Sequence, residues 1–265
     1  MQEFDLTVIG SGPGGYTAAI RAAQLGFKTA IIERDRLGGV CLNWGCIPTK
    51  ALIKSAEMMY KTKHMSEYGI NVEGKGFDFP KIIQRSRKVA EASEKGVQFL
   101  MKKNKITVIN GKGEFNADKT IAVKDKDGNV IETVKSKHTI VATGARAKII
   151  PGIKFDEKKI LSATGAMLLQ EAPAKMTIVG SGAIGMEFAY FYSAFGTEVT
   201  VIEMLPQILP VEDKEISDVV AREFKKYGIK VYTDTKTESV EIKDGKVFTK
   251  VSGKLNDTLE SDVVL

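Results

Sequence analysis

The chain has 265 residues, of which 43% are hydrophobic and 27% charged, with 25 glycines. That is enough for two domains with real cores and excludes a fibrous or disordered polymer. The net charge of +6 is carried by lysines spread along the whole length, against a nucleic-acid-binding face, while Glu3 and Asp5 ahead of the first apolar run exclude a signal peptide and the lack of a membrane-length run excludes a span, so the cytoplasm is expected.

In chain order, Leu6-Thr7-Val8-Ile9 reads as a buried strand and Gly10-Ser11-Gly12-Pro13-Gly14-Gly15 as a tight turn. A helix runs from there through Ala18, Ala19, Ala22 and Ala23 to Gly26, and Lys28 to Glu33 forms the next strand. The same succession returns at Thr177-Ile178-Val179, Gly180-Ser181-Gly182-Ala183-Ile184-Gly185, a helix to Gly196, and a strand from Glu198 to Glu203. Gly10, Gly12, Gly15, Gly26 and Glu33 map without a gap onto Gly180, Gly182, Gly185, Gly196 and Glu203, a constant shift of 170 residues.

Two βαβ units are predicted, each with a dinucleotide fingerprint in its proper context. The first glycine turns the chain, the second admits a pyrophosphate, and the third lets helix pack on strand. The helix N-terminus then offers unpaired N–H groups to the phosphates. Glu33 and Glu203 stand where a carboxylate accepts both hydroxyls of an adenine ribose and repels a 2′-phosphate, which at the second turn favours NAD over NADP.

Between the units, Phe79 to Lys103 is predicted helical, and Ile106 to Val141 strand-rich with a turn at Asp127-Gly128-Asn129. Arg146 to Pro151 reads as a connector, so the expected domains are residues 1–145 and 146–265. The second continues through a helix, Asp213 to Tyr227, and a hairpin turning at Asp244-Gly245, and its last strand, Asp262 to Leu265, is cut as it begins.

The only cysteines are Cys41 and Cys46. Pro48 suits the first turn of the helix patterned from Ala51 to Tyr60, which places Cys46 at a helix N-terminus. The dipole there, with nearby Lys50, would stabilise a thiolate. Structural zinc wants four ligands, and His64 and His138 are widely separated; two incidental buried cysteines are the bland alternative.

The segment Gly38-Gly39-Val40-Cys41-Leu42-Asn43-Trp44-Gly45-Cys46-Ile47-Pro48-Thr49-Lys50 resembles the redox-active segment of the pyridine nucleotide-disulfide oxidoreductases, and Lys50-Ala51-Leu52-Ile53 resembles their dihydrolipoamide dehydrogenase branch. Glutathione and mercuric reductases are similar but read differently after the proline and prefer NADP, marked by basic residues near the second acid; here Glu203 is followed by Met204-Leu205-Pro206. The resemblance spans essentially the whole chain.

What the resemblance implies is an α/β fold of two Rossmann-like three-layer dinucleotide-binding domains, the second incomplete and the C-terminal dimerisation domain absent. It implies FAD at the first turn, near Gly10, Gly12, Gly14, Gly15, Glu33, Arg34, Gly39, Val40, Cys41, Lys50, Gly113, Thr143, Gly144 and Ala145. It implies NAD at the second, near Gly180, Gly182, Ala183, Ile184, Gly185, Glu187, Glu203 and Thr237. Cys41 and Cys46 would exchange electrons with dihydrolipoamide on a lipoyl domain carrier, with Lys50, paired to Glu187, beside the flavin. The family's base, a C-terminal histidine from the other subunit of a homodimer, matches neither His64 nor His138, and the Gly-Arg-x-Pro segment expected past Leu265 is missing as well. Little turnover is expected from these residues alone. A non-catalytic FAD- or NAD-binding protein is the alternative from another class.

Overall fold

In the computed structural model, which describes residues 1–73 and 76–265, the chain divides by its contacts into two units. The first comprises Met1–Pro48 and Arg87–Arg146, the second Thr49–Ser86 and Ala147–Leu265.

The first unit begins with β1 (Gln2–Ile9), α1 (Pro13–Gln24), β2 (Thr29–Glu33) and α2 (Gly39–Trp44). The start of α3 (Cys46–His64) and most of α4 (Phe79–Lys103) belong to it, as do β3 (Thr107–Asn110), β4 (Lys112–Phe115), β5 (Ile121–Lys124) and β6 (Val130–Val141). The sheet order is β3-β2-β1-β6-β5-β4, with β3, β2, β1 and β6 parallel and β4 and β5 antiparallel to their neighbours. Every residue of β2 is buried, as a central parallel strand covered on both faces requires. Ile31 joins Val8 of β1, Ala19 and Ala22 of α1, and Val97 and Met101 of α4. Ala30 and Ile32 point the other way, into Ile121, Val123 and Val134 of the β-meander. Helices, parallel strands and meander thus form three layers.

Two sequence expectations change. Cys46 stands at a helix N-terminus as expected, but that helix takes in Cys46 and runs to His64, so it extends past both ends of the patterned Ala51 to Tyr60 stretch. The six-residue α2 was not expected at all: it follows Gly38, whose φ is +93°, and six residues are too few to hold a helix by propensity.

The second unit adds α5 (Ala163–Ala166), β7 (Lys175–Val179), α6 (Ala183–Ala194), β8 (Glu198–Ile202), α7 (Lys214–Lys226), β9 (Lys230–Tyr232), β10 (Thr235–Lys243), β11 (Lys246–Gly253), β12 (Asp257–Ser261) and β13 (Val263–Val264). Its parallel sheet has the order β13-β7-β8-β9, and β10-β11-β12 form a separate antiparallel sheet. Phe188, Phe191 and Tyr192 of α6 are fully buried, and the Tyr192 hydroxyl donates to the Ala166 carbonyl. A helix so apolar on most of its faces belongs in a core. By contrast α7 fully buries only Ser217, and Asp213 and Tyr227, expected inside it, are its caps. The α/β architecture expected from the sequence is the one found, and among the described residues no helix is long and apolar enough to cross a membrane.

Candidate functional site

The first glycine turn follows β1. Gly10 has φ +96°, a conformation L side chains rarely adopt, and a Cβ there would overlap the Ala142 carbonyl. A Cβ on Gly15 would overlap the Gly10 carbonyl, so helix and turn meet backbone to backbone. Gly12, the N-cap of α1, faces open space: nothing lies within 4 Å of a Cβ built on it. The space beside Gly12 is open, above N–H groups that a helix start leaves without intrahelical partners.

Other residues assigned to the first site gather here. Gly39 lies against Gly12, a built Cβ coming 2.7 Å from the Gly12 Cα. Gly113 of β4 abuts Ile9 and Ile32. The Ala142 N–H donates to the Ile9 carbonyl at 2.8 Å, which brings Thr143, Gly144 and Ala145 to the same strand ends. Arg34 and Val40 are exposed beside them.

Glu33 is buried, and its carboxylate organises the turn. The Ser11 N–H and hydroxyl donate to Oε2 at 2.8 and 2.6 Å, and the Asp35 N–H donates to Oε1 at 2.9 Å. The second turn repeats the pattern. Ser181 donates through N–H and hydroxyl to Glu203 Oε2 at 2.8 and 2.9 Å, and the Leu205 N–H donates to Oε1 at 2.9 Å. Gly180 has φ +99°, a Cβ on Gly185 would overlap the Gly180 carbonyl, and Gly182 faces open space. Ala183 opens α6, and Ile184 beside it is exposed. The Thr235 N–H donates to the Glu203 carbonyl at 2.9 Å, which brings β10 alongside, and Thr237 there keeps a buried hydroxyl with no partner among the described residues. The open cradles and this hydroxyl fit nucleotides at both turns. Ser11 and Ser181 were not singled out from the sequence, although they too repeat at the constant shift.

The disulfide loop leaves from the first turn. The Gly38 N–H donates to the Ser11 carbonyl and hydroxyl at 3.1 and 3.2 Å, and α2 starts at once. Cys41 and Cys46 are joined as a disulfide, with Cα atoms 4.8 Å apart. Cys46 is the first residue of α3, at its positive end. Asn43, 2% exposed, donates its amide to the Leu37 and Gly39 carbonyls, both at 3.0 Å. One turn beyond Cys46 along α3, Lys50 pairs with Glu187. Beside Glu187 an apolar cleft of about 270 Å³ is lined by Ile53, Ala183, Met186 and Tyr190. Tyr190 meets the Tyr60 ring at a tilt and the Tyr227 ring edge-on; burial, then those two rings, push its pKa up to about 12.

The sequence profile of the family described as pyridine nucleotide-disulphide oxidoreductase matches residues 4–265. The chain belongs to this family. Among relatives of this oxidoreductase chain, the dihydrolipoyl dehydrogenase of Chlorobaculum tepidum is 43% identical over 265 residues, covering 99% of this chain and 56% of that protein. The dihydrolipoyl dehydrogenase of Zymomonas mobilis is 46% identical over 250 residues, covering 94% and 53%. The crystal structure of LpdA from Mycobacterium tuberculosis superposes with a TM-score of 0.90 at 26% identity, over 100% of this chain and 58% of that one. The chain therefore spans about half the length of the curated relatives it matches.

Proposed function

We propose that the chain carries the flavin- and disulfide-bearing part of a dihydrolipoyl dehydrogenase, which oxidises dihydrolipoamide with NAD⁺. The observation that carries the reading is the Cys41–Cys46 disulfide in the loop hydrogen-bonded to the first glycine turn through Gly38 and Ser11.

A substrate thiolate attacks Cys41 Sγ, forming a mixed disulfide and releasing Cys46 as a thiolate at the N-terminus of α3. The second substrate thiol then displaces Cys41. The substrate leaves as a cyclic disulfide, having lost two electrons and two protons; the cysteine pair gains both electrons and, on Cys41, one proton, while the other proton is released to solvent. FAD at the first turn and NAD⁺ at the second supply the acceptors that reoxidise the pair. Gly12 and Gly182 admit the pyrophosphates, Glu33 and Glu203 the riboses, and Thr237 the second nucleotide. The carboxylate of Glu203 disfavours a 2′-phosphate. Lys50, with Glu187, is assigned to the flavin ring, where its charge favours the reduced state.

Of the two histidines, His64 pairs with Glu67 at the end of α3 and His138 stands in β6 in register with Leu6; neither belongs to the cysteine loop. We infer weak turnover from residues 1–265 alone, a homodimeric whole protein in the cytoplasm, and a lipoyl domain carrier as partner. The test is anaerobic mixing of the FAD-loaded chain with dihydrolipoamide or with reduced glutathione. Bleaching of the flavin by dihydrolipoamide at far lower concentration supports the reading, and equal bleaching by both contradicts the substrate assignment.

A further inference from the structure

We propose that Arg87 and Trp44 form a clamp that fixes the loop between Cys41 and Cys46 in both redox states, and that this clamp biases the pair toward the disulfide. The inference rests on the redox role of that pair proposed above and concerns the first unit alone.

Four residues separate the cysteines, and they include the end of α2. That helix has two weak ends. Gly38, its N-cap, supplies no side-chain cap, and Gly45 ends it in a non-helical conformation at φ −142° and ψ −119°. The last carbonyls of any helix lack intrahelical donors. Here the Asn43 carbonyl, one of those orphans, accepts from Arg87 Nη1 of α4 at 2.7 Å. The same guanidinium lies over the Trp44 ring, 5.2 Å from its centroid. One half-buried cation thus caps the negative end of α2 and holds the next side chain by its face. On the other side the Asn43 amide is tied to Leu37 and Gly39. Residue 43 is therefore held from two directions and the Trp44 ring by its face.

Such a tether acts on the reduced form. When the disulfide opens, Cys41 and Cys46 gain freedom only if the intervening loop can move. A clamped loop keeps the two sulfurs close, so re-closure costs little ordering. Freeing the backbone of a single residue is enough to change such an equilibrium about tenfold. Arg87 and Trp44 are positioning residues: they set the poise of the pair without joining the exchange.

The 265-residue chain and its Arg87→Ala, Arg87→Lys and Trp44→Leu variants are equilibrated anaerobically across ratios of reduced to oxidised dithiothreitol. Each exchange opens the Cys41–Cys46 bond, closes the dithiothreitol ring and moves two electrons and two protons to the protein. After acid quench and alkylation, free thiols are counted by mass, with circular dichroism confirming the fold. The reduced-to-oxidised ratio should rise about tenfold for Arg87→Ala and Trp44→Leu, equivalent to about 30 mV. Arg87→Lys, which keeps the charge but loses the planar fork, should lie between them and the parent. If the folded Arg87→Lys and Trp44→Leu variants titrate with the parent's midpoint, the clamp is wrong and the redox reading stands. A parent disulfide that exchanges with dithiothreitol at no ratio overturns that reading and the clamp with it.

Discussion

The two glycine turns are built alike down to individual hydrogen bonds, yet their return loops part company. In both, a serine after the first glycine gives N–H and hydroxyl to one oxygen of a buried glutamate. In both, a residue with positive φ after the second strand donates its N–H back to that serine's carbonyl: Gly38 to Ser11 at 3.1 Å and Leu209 to Ser181 at 3.0 Å. Beyond this point the first loop enters α2 and the disulfide, whereas the second leads to Asp213 and the surface helix α7. Duplication supplies the nucleotide frame, and the return loop decides what chemistry is added to it.

If that division holds, Cys46→Ser should abolish reduction of bound flavin by dithiols while flavin affinity stays within a few-fold, as anaerobic absorbance titration would read. Comparable loss from a change in the Leu209 loop would break the asymmetry.

The glycines sharpen it. Gly15→Ala and Gly185→Ala each force a methyl into a carbonyl of their own turn and should lower stability by about 3 kcal/mol, seen by urea denaturation. Gly12→Ala and Gly182→Ala face open space and should leave stability near the parent value, losing instead FAD and NAD affinity respectively. A stable Gly15→Ala chain that binds FAD normally would remove the packing account of both turns.

Most of the frame was legible because it is local. Gly10 to Glu33 and Gly180 to Glu203 are contiguous patterns in which each residue's job follows from its place, and the cysteine segment is compact. What escaped depends on distance. Arg87 reaches Asn43 across 44 positions, and nothing in the composition of either segment marks the pair. The helix α2 exists through tertiary contacts rather than propensity. Ser11 and Ser181 were readable in principle, since they recur with the glycines, but a serine in a glycine turn reads as filler until its glutamate is seen behind it.

Smaller effects follow from the serines and tyrosines. Ser11→Ala and Ser181→Ala each remove one hydroxyl donation to a carboxylate and should cost roughly 1.5–3 kcal/mol, by similar amounts if the turns are equivalent. Calorimetry giving one serine a large effect and the other none would contradict that equivalence. In the second unit, burial raises Tyr60 and Tyr190 above the ordinary tyrosine value of 10.0, Tyr190 to about 12. Their folded pKa values exceed the unfolded ones, so their contribution to stability is complete below pH 10 and falls as pH rises toward about 12. Tyr190→Phe should flatten this alkaline loss in pH-dependent melting, and an unchanged slope would contradict the burial account.

The most direct test of the redox loop's attachment to the first turn is the anaerobic visible spectrum of the FAD-loaded chain before and after one equivalent of dithiol. The account predicts a new long-wavelength thiolate-to-flavin band, lost in Cys46→Ser. An unchanged flavin spectrum, with the Cys41–Cys46 bond shown by alkylation to be open, would contradict it.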